Sequence, residues 1–281
     1  MLFNEQHQRS ESPDMSTLEP GARDVVQRLM RGGASPPVIQ LALRRIQKRE
    51  AVGIHAIDAA AEALGRVVRF LPSPRRPERG NVPVAFAFCG PSGSGKSTAM
   101  LRLALRMQES DRRAVCGTIA LPEERLPRAR DLGLLLPYLN IEDGGEAERA
   151  IRKYKPDALL IDTPGLAPGD PRPLAALGAD LRSLVPGEGC QLILCVSAAK
   201  GRQEVRRTLR SFRAMAPAGV CLTHLDVANR AIPCFEELAR ARLPLAFLSG
   251  GTENACFWRP SVDRVADLFL RGRLAVTPSH T

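Results

Sequence analysis

The chain has 281 residues, 44% of them hydrophobic and 25% charged, which are the proportions of a soluble globular protein with ample core. No run of residues approaches the ~18 consecutive apolar positions of a spanning helix, and seven scattered cysteines without a C-x-x-C pair suggest neither a disulfide framework nor a zinc site, in keeping with a reducing cytoplasm. The net charge of +10 is carried almost entirely by arginine, but aromatics at 4% weigh against a base-stacking nucleic-acid surface; a solvated basic face, or attraction to an anionic membrane surface or partner, remains open.

Residues 1–19 are polar, lack an apolar signal core, and read as a disordered tail. A helical region follows over 20–71. Its first helix, Arg23 to Arg31, stops at Gly32-Gly33. Ser35 then caps a helix with Pro36 in its first turn, carrying Val38, Ile39, Leu41, Leu43 and Ile46. A third helix runs from about Ile54 to Val68. Residues 72–82, with Pro72, Pro74, Arg75, Arg76, Pro77 and Arg79, form a linker that cannot hold a helix.

From 83 to 272 short apolar strands, at 84–89, 114–120, 158–162, 191–197, 219–223 and 245–249, alternate with helical stretches such as 146–154, 174–184, 202–215 and 233–242. Apolar strands alternating with helices predict an α/β fold whose mostly parallel sheet is covered by helices on both faces, with ligands at the carboxyl ends of the strands. Cys89, Cys116, Cys195 and Cys221 fall in these strands, where cysteine acts as a small hydrophobe. Residues 273–281 read as a tail.

Three motifs lie at those carboxyl ends. Gly90-Pro91-Ser92-Gly93-Ser94-Gly95-Lys96-Ser97 fits G-x-x-x-x-G-K-[ST] between the 84–89 strand and an apolar helix from Thr98 to Gln108. Strand, glycine loop and helix start make a phosphate trap: backbone N–H groups converge on the anion, Lys96 reaches the β- and γ-phosphates, and the Ser97 hydroxyl takes a place on Mg²⁺. Second, the 158–162 strand ends in Asp162-Thr163-Pro164-Gly165, where Asp162 can hold the Mg²⁺ shell through water and the Gly165 N–H can sense the γ-phosphate. Third, Thr223-His224-Leu225-Asp226 stands where GTP-binding proteins carry [NT]-K-x-D, the carboxylate accepting from N1–H and the exocyclic amine of guanine. His224 replaces the lysine of that pattern, and an ordinary strand-to-loop aspartate is the competing reading.

The order of these motifs after a helical region resembles the signal-recognition-particle family of GTPases, and within it the bacterial flagellar-placement branch, over residues 35 to 271. That branch carries G-P-T-G-x-G-K-T-T, matched by Gly90 to Thr98; D-T-A-G-R, against Asp162-Thr163-Pro164-Gly165-Leu166; and T-K-L-D, against Thr223 to Asp226. Leu194 to Phe212 is similar to its L-S-A segment, and Leu248-Ser249-Gly250-Gly251-Thr252 to its closing I-T-N-G-Q loop beside the base. The resemblance implies GTP or GDP with Mg²⁺ as ligands and Lys96, Asp162 and Gly165 as the residues closest to chemistry. It further implies a homo- or heterodimer formed through the nucleotide face, and a cytoplasmic protein able to make peripheral contact with the inner face of the cell membrane.

The departures are specific. The family's D-T-x-R-x-x-A-x-E-Q-L insertion, source of a catalytic aspartate and arginine, corresponds to Gly117-Thr118-Ile119-Ala120-Leu121-Pro122-Glu123-Glu124-Arg125-Leu126, with Ile119 and Pro122 at those two positions. Leu166 replaces the arginine of D-T-A-G-R. The phosphate-binding parts are intact and the parts that orient the attacking water are missing, which predicts slow hydrolysis. Three readings follow: a nucleotide-dependent switch in flagellar placement or assembly, a binding-only scaffold, and a P-loop ATPase or kinase if His224 marks lost guanine selectivity.

Overall fold

A computed structural model describes residues 14–50, 55–73, 83–119, 136–141, 143–169, 171–185, 189–251 and 256–272. The helical region opens with a 3₁₀ turn, Met15–Thr17, inside the segment read as a tail. The Asp14 carboxylate makes this turn by accepting from the Ser16 N–H at 2.9 Å and the Ser16 hydroxyl at 2.7 Å. Helix α1 spans Pro20–Arg31, α2 Pro36–Glu50 and α3 Ala56–Leu64. Each buries one stripe, Val25, Val26 and Leu29 on α1 and Val38, Ala42 and Ile46 on α2 among them.

The Ser35 side chain does not cap α2. Its hydroxyl is buried without a hydrogen-bond partner. Pro36 and Pro37 offer no N–H at the first two helical positions, and the Val38 N–H is taken by the Ser35 carbonyl at 3.0 Å. Ser35 instead donates its own N–H to Glu236 at 2.7 Å.

The remaining elements are β1 Val84–Cys89, α4 Lys96–Glu109, β2 Ala114–Thr118, β3 Tyr138–Asn140, α5 Gly144–Tyr154, β4 Ala158–Asp162, α6 Pro171–Ser183, β5 Cys190–Ser197, α7 Arg202–Ser211, β6 Gly219–Thr223, α8 Ile232–Ala241, β7 Leu245–Ser249, β8 Phe257–Trp258 and α9 Val262–Arg271. The strands form one sheet in the order β3-β2-β4-β1-β5-β6-β7-β8, with every pairing parallel except the antiparallel β7–β8. The expected α/β class with a mostly parallel sheet is therefore observed. Strands β3 and β8 join the six read from sequence, and the stretch read as one helix over 202–215 is α7 followed by a 3₁₀ turn, Phe212–Met215.

Alternation along the strands builds two cores. Phe86, Phe88, Leu160, Cys195 and Phe247 point to the side covered by α4, while Ala87, Leu159, Leu192, Leu194 and Leu222 point to the side packed by α1–α3 and α5–α9. On the α4 side Phe247 meets the edge of Phe86 at 5.9 Å and stacks near Phe88 at 6.3 Å. All seven cysteines are buried and free.

Among the described residues, three contacts in particular fasten the helical region to the sheet and its helices. The extended segment Arg69–Leu71 bridges to the start of β7, the Leu71 N–H donating to the Leu245 carbonyl at 2.8 Å and the Leu245 N–H to Arg69 at 2.7 Å. Gly65 lies so close to Val262 that a Cβ there would stand 2.4 Å from the Val262 carbonyl. At the third, Glu236 and Glu237 on α8 are buried at 0% and 2% exposure and paired with arginines. Arg202 reaches Glu236 at 2.6 Å, Arg206 and Arg240 reach Glu237 at 2.8 and 3.2 Å, and Arg202 also donates to the Gly33 carbonyl at 3.4 Å. Residues 74–82 of the segment read as a linker, and residues 120–126 of the segment set against the family's insertion, lie outside the described residues.

Candidate nucleotide-binding site

Strand β1 sits between β4 and β5. The chain leaves it for β2 on one side and later comes back to β5 on the other, so a crevice opens over the carboxyl end of β1. The loop from Gly90 to Gly95 fills that point and leads into α4. Gly93 and Gly95 have φ of +71° and +81°, a left-handed conformation in which L side chains are strained. No atom stands within 4 Å of where a Gly93 Cβ would be, so the space over the loop is open. Lys96 is buried and folds back over the loop, its Nζ donating to the Pro91 carbonyl at 2.9 Å. Ser94 donates its N–H to the same carbonyl at 3.2 Å. Ser92 is exposed on the loop, while Ser97 and Thr98 are half-buried in the first turn of α4. The loop thus runs into a helix N-terminus, with buried Lys96 folded over it and open space at Gly93.

Parallel register brings Asp162, the last residue of β4, alongside Phe88 near the end of β1. Its carboxylate is fully buried and accepts a short 2.5 Å hydrogen bond from the Ser97 hydroxyl. A carboxylate and a hydroxyl brought together at the edge of an anion cradle are the hard-oxygen donors suited to a hydrated Mg²⁺, so the residues present fit that ion. Thr163 turns the chain by donating its hydroxyl to the Phe88 carbonyl at 3.0 Å. The Leu166 N–H donates to the Gly90 carbonyl at 3.1 Å, tying this turn to the phosphate loop. Gly165 lies against that loop so closely that a Cβ would stand 2.8 Å from the Ser92 Cα.

The third motif closes the other side. Thr223 ends β6, is buried, and donates its hydroxyl to the Ser94 carbonyl at 2.8 Å. His224 has φ +55°, and its Nδ1 stands 3.0 Å from the Ser197 hydroxyl and 3.1 Å from the Thr223 hydroxyl. Its ring edge would be 3.3 Å from a Cβ at Gly95, so the imidazole lies along the phosphate loop. Asp226 is exposed, and its backbone N–H is packed against Gly250, where a Cβ would stand 2.9 Å away. The Gly250 N–H donates to the Cys256 carbonyl at 3.1 Å, and Gly251 has φ +83°. The structure therefore brings the three motifs and the Gly250–Gly251 turn together beyond the carboxyl ends of β1, β4, β6 and β7.

Arg102 was not singled out. It is buried on α4 and donates to the Ser249 hydroxyl at 2.9 Å, to the Cys256 carbonyl at 3.5 Å and to the Gly251 carbonyl, so it pins the closing loop from beneath. Burial draws its pKa below the usual arginine value, against the pull of the Asp226 carboxylate. Its local sequence, an arginine with Ala99 and Leu105 three positions to either side, does not by itself tell an inward arginine from a surface one. The departures also have places. Ile119 is partly buried after β2 and donates its N–H to the Asp162 carbonyl at 3.1 Å. Leu166 packs against the core. Pro122 lies outside the described residues.

No protein-family model matches the chain. It is similar to the flagellar biosynthesis protein FlhF of Pseudomonas aeruginosa, 26% identical over 172 residues that cover 59% of this chain and 39% of that protein. It is also similar to chaperone protein ClpB 2 of Parasynechococcus marenigrum, 30% identical over 138 residues, 49% of this chain and 14% of the chaperone. The chain thus spans well under two thirds of the curated relatives it matches. Among solved structures it superposes on FlhF complexed with GTP/Mg(2+), at a TM-score of 0.70 and 19% identity, covering 90% of this chain and 100% of that one. It superposes equally on the signal recognition particle receptor FtsY of Elizabethkingia anophelis in complex with GDP, at a TM-score of 0.69 and 14% identity, covering 96% and 98%. The fold is that of the signal-recognition-particle type of P-loop GTPase, FlhF among them.

Proposed function

We propose that this chain is a GTP-binding protein of the signal-recognition-particle GTPase type, FlhF-like, acting as a nucleotide-dependent switch in flagellar placement or assembly with slow intrinsic hydrolysis. The observation that carries the nucleotide reading is the shared crevice: an open glycine loop with Lys96 on one side, and Asp226 beside the Gly250–Gly251 turn on the other. In this reading Gly90, Ser92, Gly93, Ser94, Gly95 and Thr98 bind the phosphates through backbone and hydroxyl groups, with Lys96 supplying a point charge. Thr223 and His224 hold the loop against the base, and Asp226, Gly250 and Gly251 receive it.

Ser97 and Asp162 would hold Mg²⁺, which neutralises charge on the β- and γ-phosphates. The Gly165 N–H would report on the γ-phosphate through its contact with Ser92. What this chain lacks at 119 and 166 is a charged group to orient the attacking water, and such positioned charge contributes most of phosphoryl-transfer catalysis. Turnover by the isolated chain is then slow. GTP acts by favouring a homo- or heterodimer through the nucleotide face, to the extent that the two states differ in affinity for it. The setting is the cytoplasm, with peripheral contact to anionic membrane drawn by the +10 charge; no helix among the described residues is long and apolar enough to cross one.

A binding-only scaffold is the second reading, favoured by Ile119 and Leu166, and His224 keeps a P-loop ATPase or kinase as the third. Calorimetric titration with Mg²⁺ and GTP, GDP or ATP, followed by single-turnover hydrolysis and sedimentation, separates the three. Tight GTP and GDP binding, slow turnover and GTP-dependent association support the switch. Equal association with both nucleotides selects the scaffold, and ATP bound as tightly as GTP selects the ATPase.

A further inference from the structure

The C-terminal half of α4 and the antiparallel edge of the sheet enclose a second groove of about 690 Å³, the size of a small-molecule site. Arg106 is ten residues along α4 from Lys96, so the groove lies about 15 Å along the helix axis from the phosphate loop. Its floor is apolar and aromatic, built from Leu103, Phe247, Phe257 and Trp258. Its polar lining is unbalanced, with Arg106, Arg259 and Arg264 set against the single carboxylate of Glu109. That carboxylate is engaged with Arg106 at 3.4 Å.

Arg259 is the least compensated of these groups. Its guanidinium lies over the Phe247 ring, 4.6 Å from the centroid, and its NH1 is buried without a hydrogen-bond partner. Burial lowers its pKa, and so does the like charge of Arg112, whose own Nε is also buried without a partner. Two cationic groups side by side, each with a buried donor lacking an acceptor, carry a desolvation and repulsion penalty that an anion against the groove-lining Arg259 guanidinium offsets through its charge. The aromatic floor holds apolar area at the same place.

We propose that this groove is a binding site for an organic anion, a phosphate or carboxylate borne on an apolar body, with Arg259 as its principal anchor. The anionic group lies against the Arg259 guanidinium and the apolar body lies on Phe257 and Trp258. The site is separate from the nucleotide crevice and does not depend on how that crevice is read.

Trp258 is the chain's single tryptophan and lines the groove, so its emission reports occupancy directly. Octyl phosphate below its micelle concentration is titrated into the full chain, with octanol and inorganic phosphate as half-ligands and calorimetry as the second readout. The expected result is saturable binding at least about tenfold tighter than either half-ligand, unaffected by saturating Mg·GTP and lost in Arg259→Gln. Phosphatidylcholine vesicles doped with phosphatidic acid identify the source. Capture that is lost in the variant marks a lipid, and monomer binding without capture marks a soluble ligand; either upholds the site. Should Arg259→Gln fail to fold, Arg106→Gln decides, with severalfold weakening expected. Octyl phosphate no tighter than octanol, unchanged affinity in a folded variant, or displacement by Mg·GTP overturns the proposal.

Discussion

Adding one methyl group at Gly165 tests whether the turn after β4 and the phosphate loop work as a single unit. In Gly165→Ala the new Cβ would stand 2.8 Å from the Ser92 Cα, 2.9 Å from its Cβ and 3.2 Å from its N. Carbon atoms in good contact sit about 3.5–4.0 Å apart, so the shortfall is about 0.7 Å or more. Most of it is against backbone, which no rotamer change relieves. Nor can the turn retreat freely, because Leu166 is bonded to the Gly90 carbonyl and Thr163 to the Phe88 carbonyl. Overpacking of this kind costs about 1–3 kcal/mol. If the phosphate loop yields, the cost appears as about five- to 150-fold weaker GTP binding with little change in unfolding. If the loop holds, it appears as lost stability in urea with affinity kept. Calorimetry on the Mg²⁺ complex of a non-hydrolysable GTP analogue, beside urea unfolding of the free chain, measures both. Affinity and stability both within about 0.5 kcal/mol of the parent would refute the reasoning, since the methyl group would then have found room where none is seen.

Lys96→Ala removes the one side-chain cation of the phosphate loop and should abolish triphosphate binding by calorimetry. Asp226→Asn should shift preference from guanine toward xanthine nucleotides in competition titrations, with urea stability near the parent because the carboxylate is exposed. Glu237 gives a pH test. Burial raises its pKa, but the Arg206 hydrogen bonds and the charges of Arg206, Arg240 and Arg202 outweigh this and leave it below 4.5. Its folded pKa is thus depressed, so its contribution to stability is present above about pH 4.5 and disappears as the pH falls through the folded pKa. Urea midpoints of Glu237→Gln should accordingly lie below the parent at pH 7 and converge with it in acid. The thiols of Cys89, Cys116, Cys190 and Cys234 are pushed up to about 12, chiefly by burial, so iodoacetamide at pH 8 should leave them unmodified until the chain is unfolded.

The parallel strands were legible because burial on both faces makes them short apolar runs, as at 84–89 and 158–162, bounded by turn residues. β3 and β8 were not, since two or three residues carry no periodicity and their membership comes only from the neighbour they pair with. Helix α9 was passed over although Ser261 accepts from the Arg264 N–H as a capping residue should. The meeting of the three motifs could be anticipated because a glycine loop between strand and helix, and short motifs at strand ends, fix where those residues lie in a parallel sheet. Arg102 escaped because arginine is an ordinary surface helix former, and nothing local says that this one turns inward to a loop almost 150 residues away. The paired Glu236 and Glu237 hid for the same reason: they spell a solvated helix face until α7 supplies Arg202 and Arg206.

The outer edge of β7 is shared between two fragments from distant parts of the chain. Arg69–Leu71 occupies its beginning and Phe257–Trp258 its end. A sheet margin left bare offers a row of unsatisfied N–H and C=O groups on which another molecule's strand can grow. Here neither fragment is long enough to serve as such a template, yet between them they pair with Leu245, Leu248 and Ser249. A sheet domain cut free at the linker would lose the first and expose the Leu245 backbone beside the apolar Phe247. Removing the helical region should therefore lower the solubility of the remaining sheet rather than its affinity for any ligand, by baring the Leu245 edge.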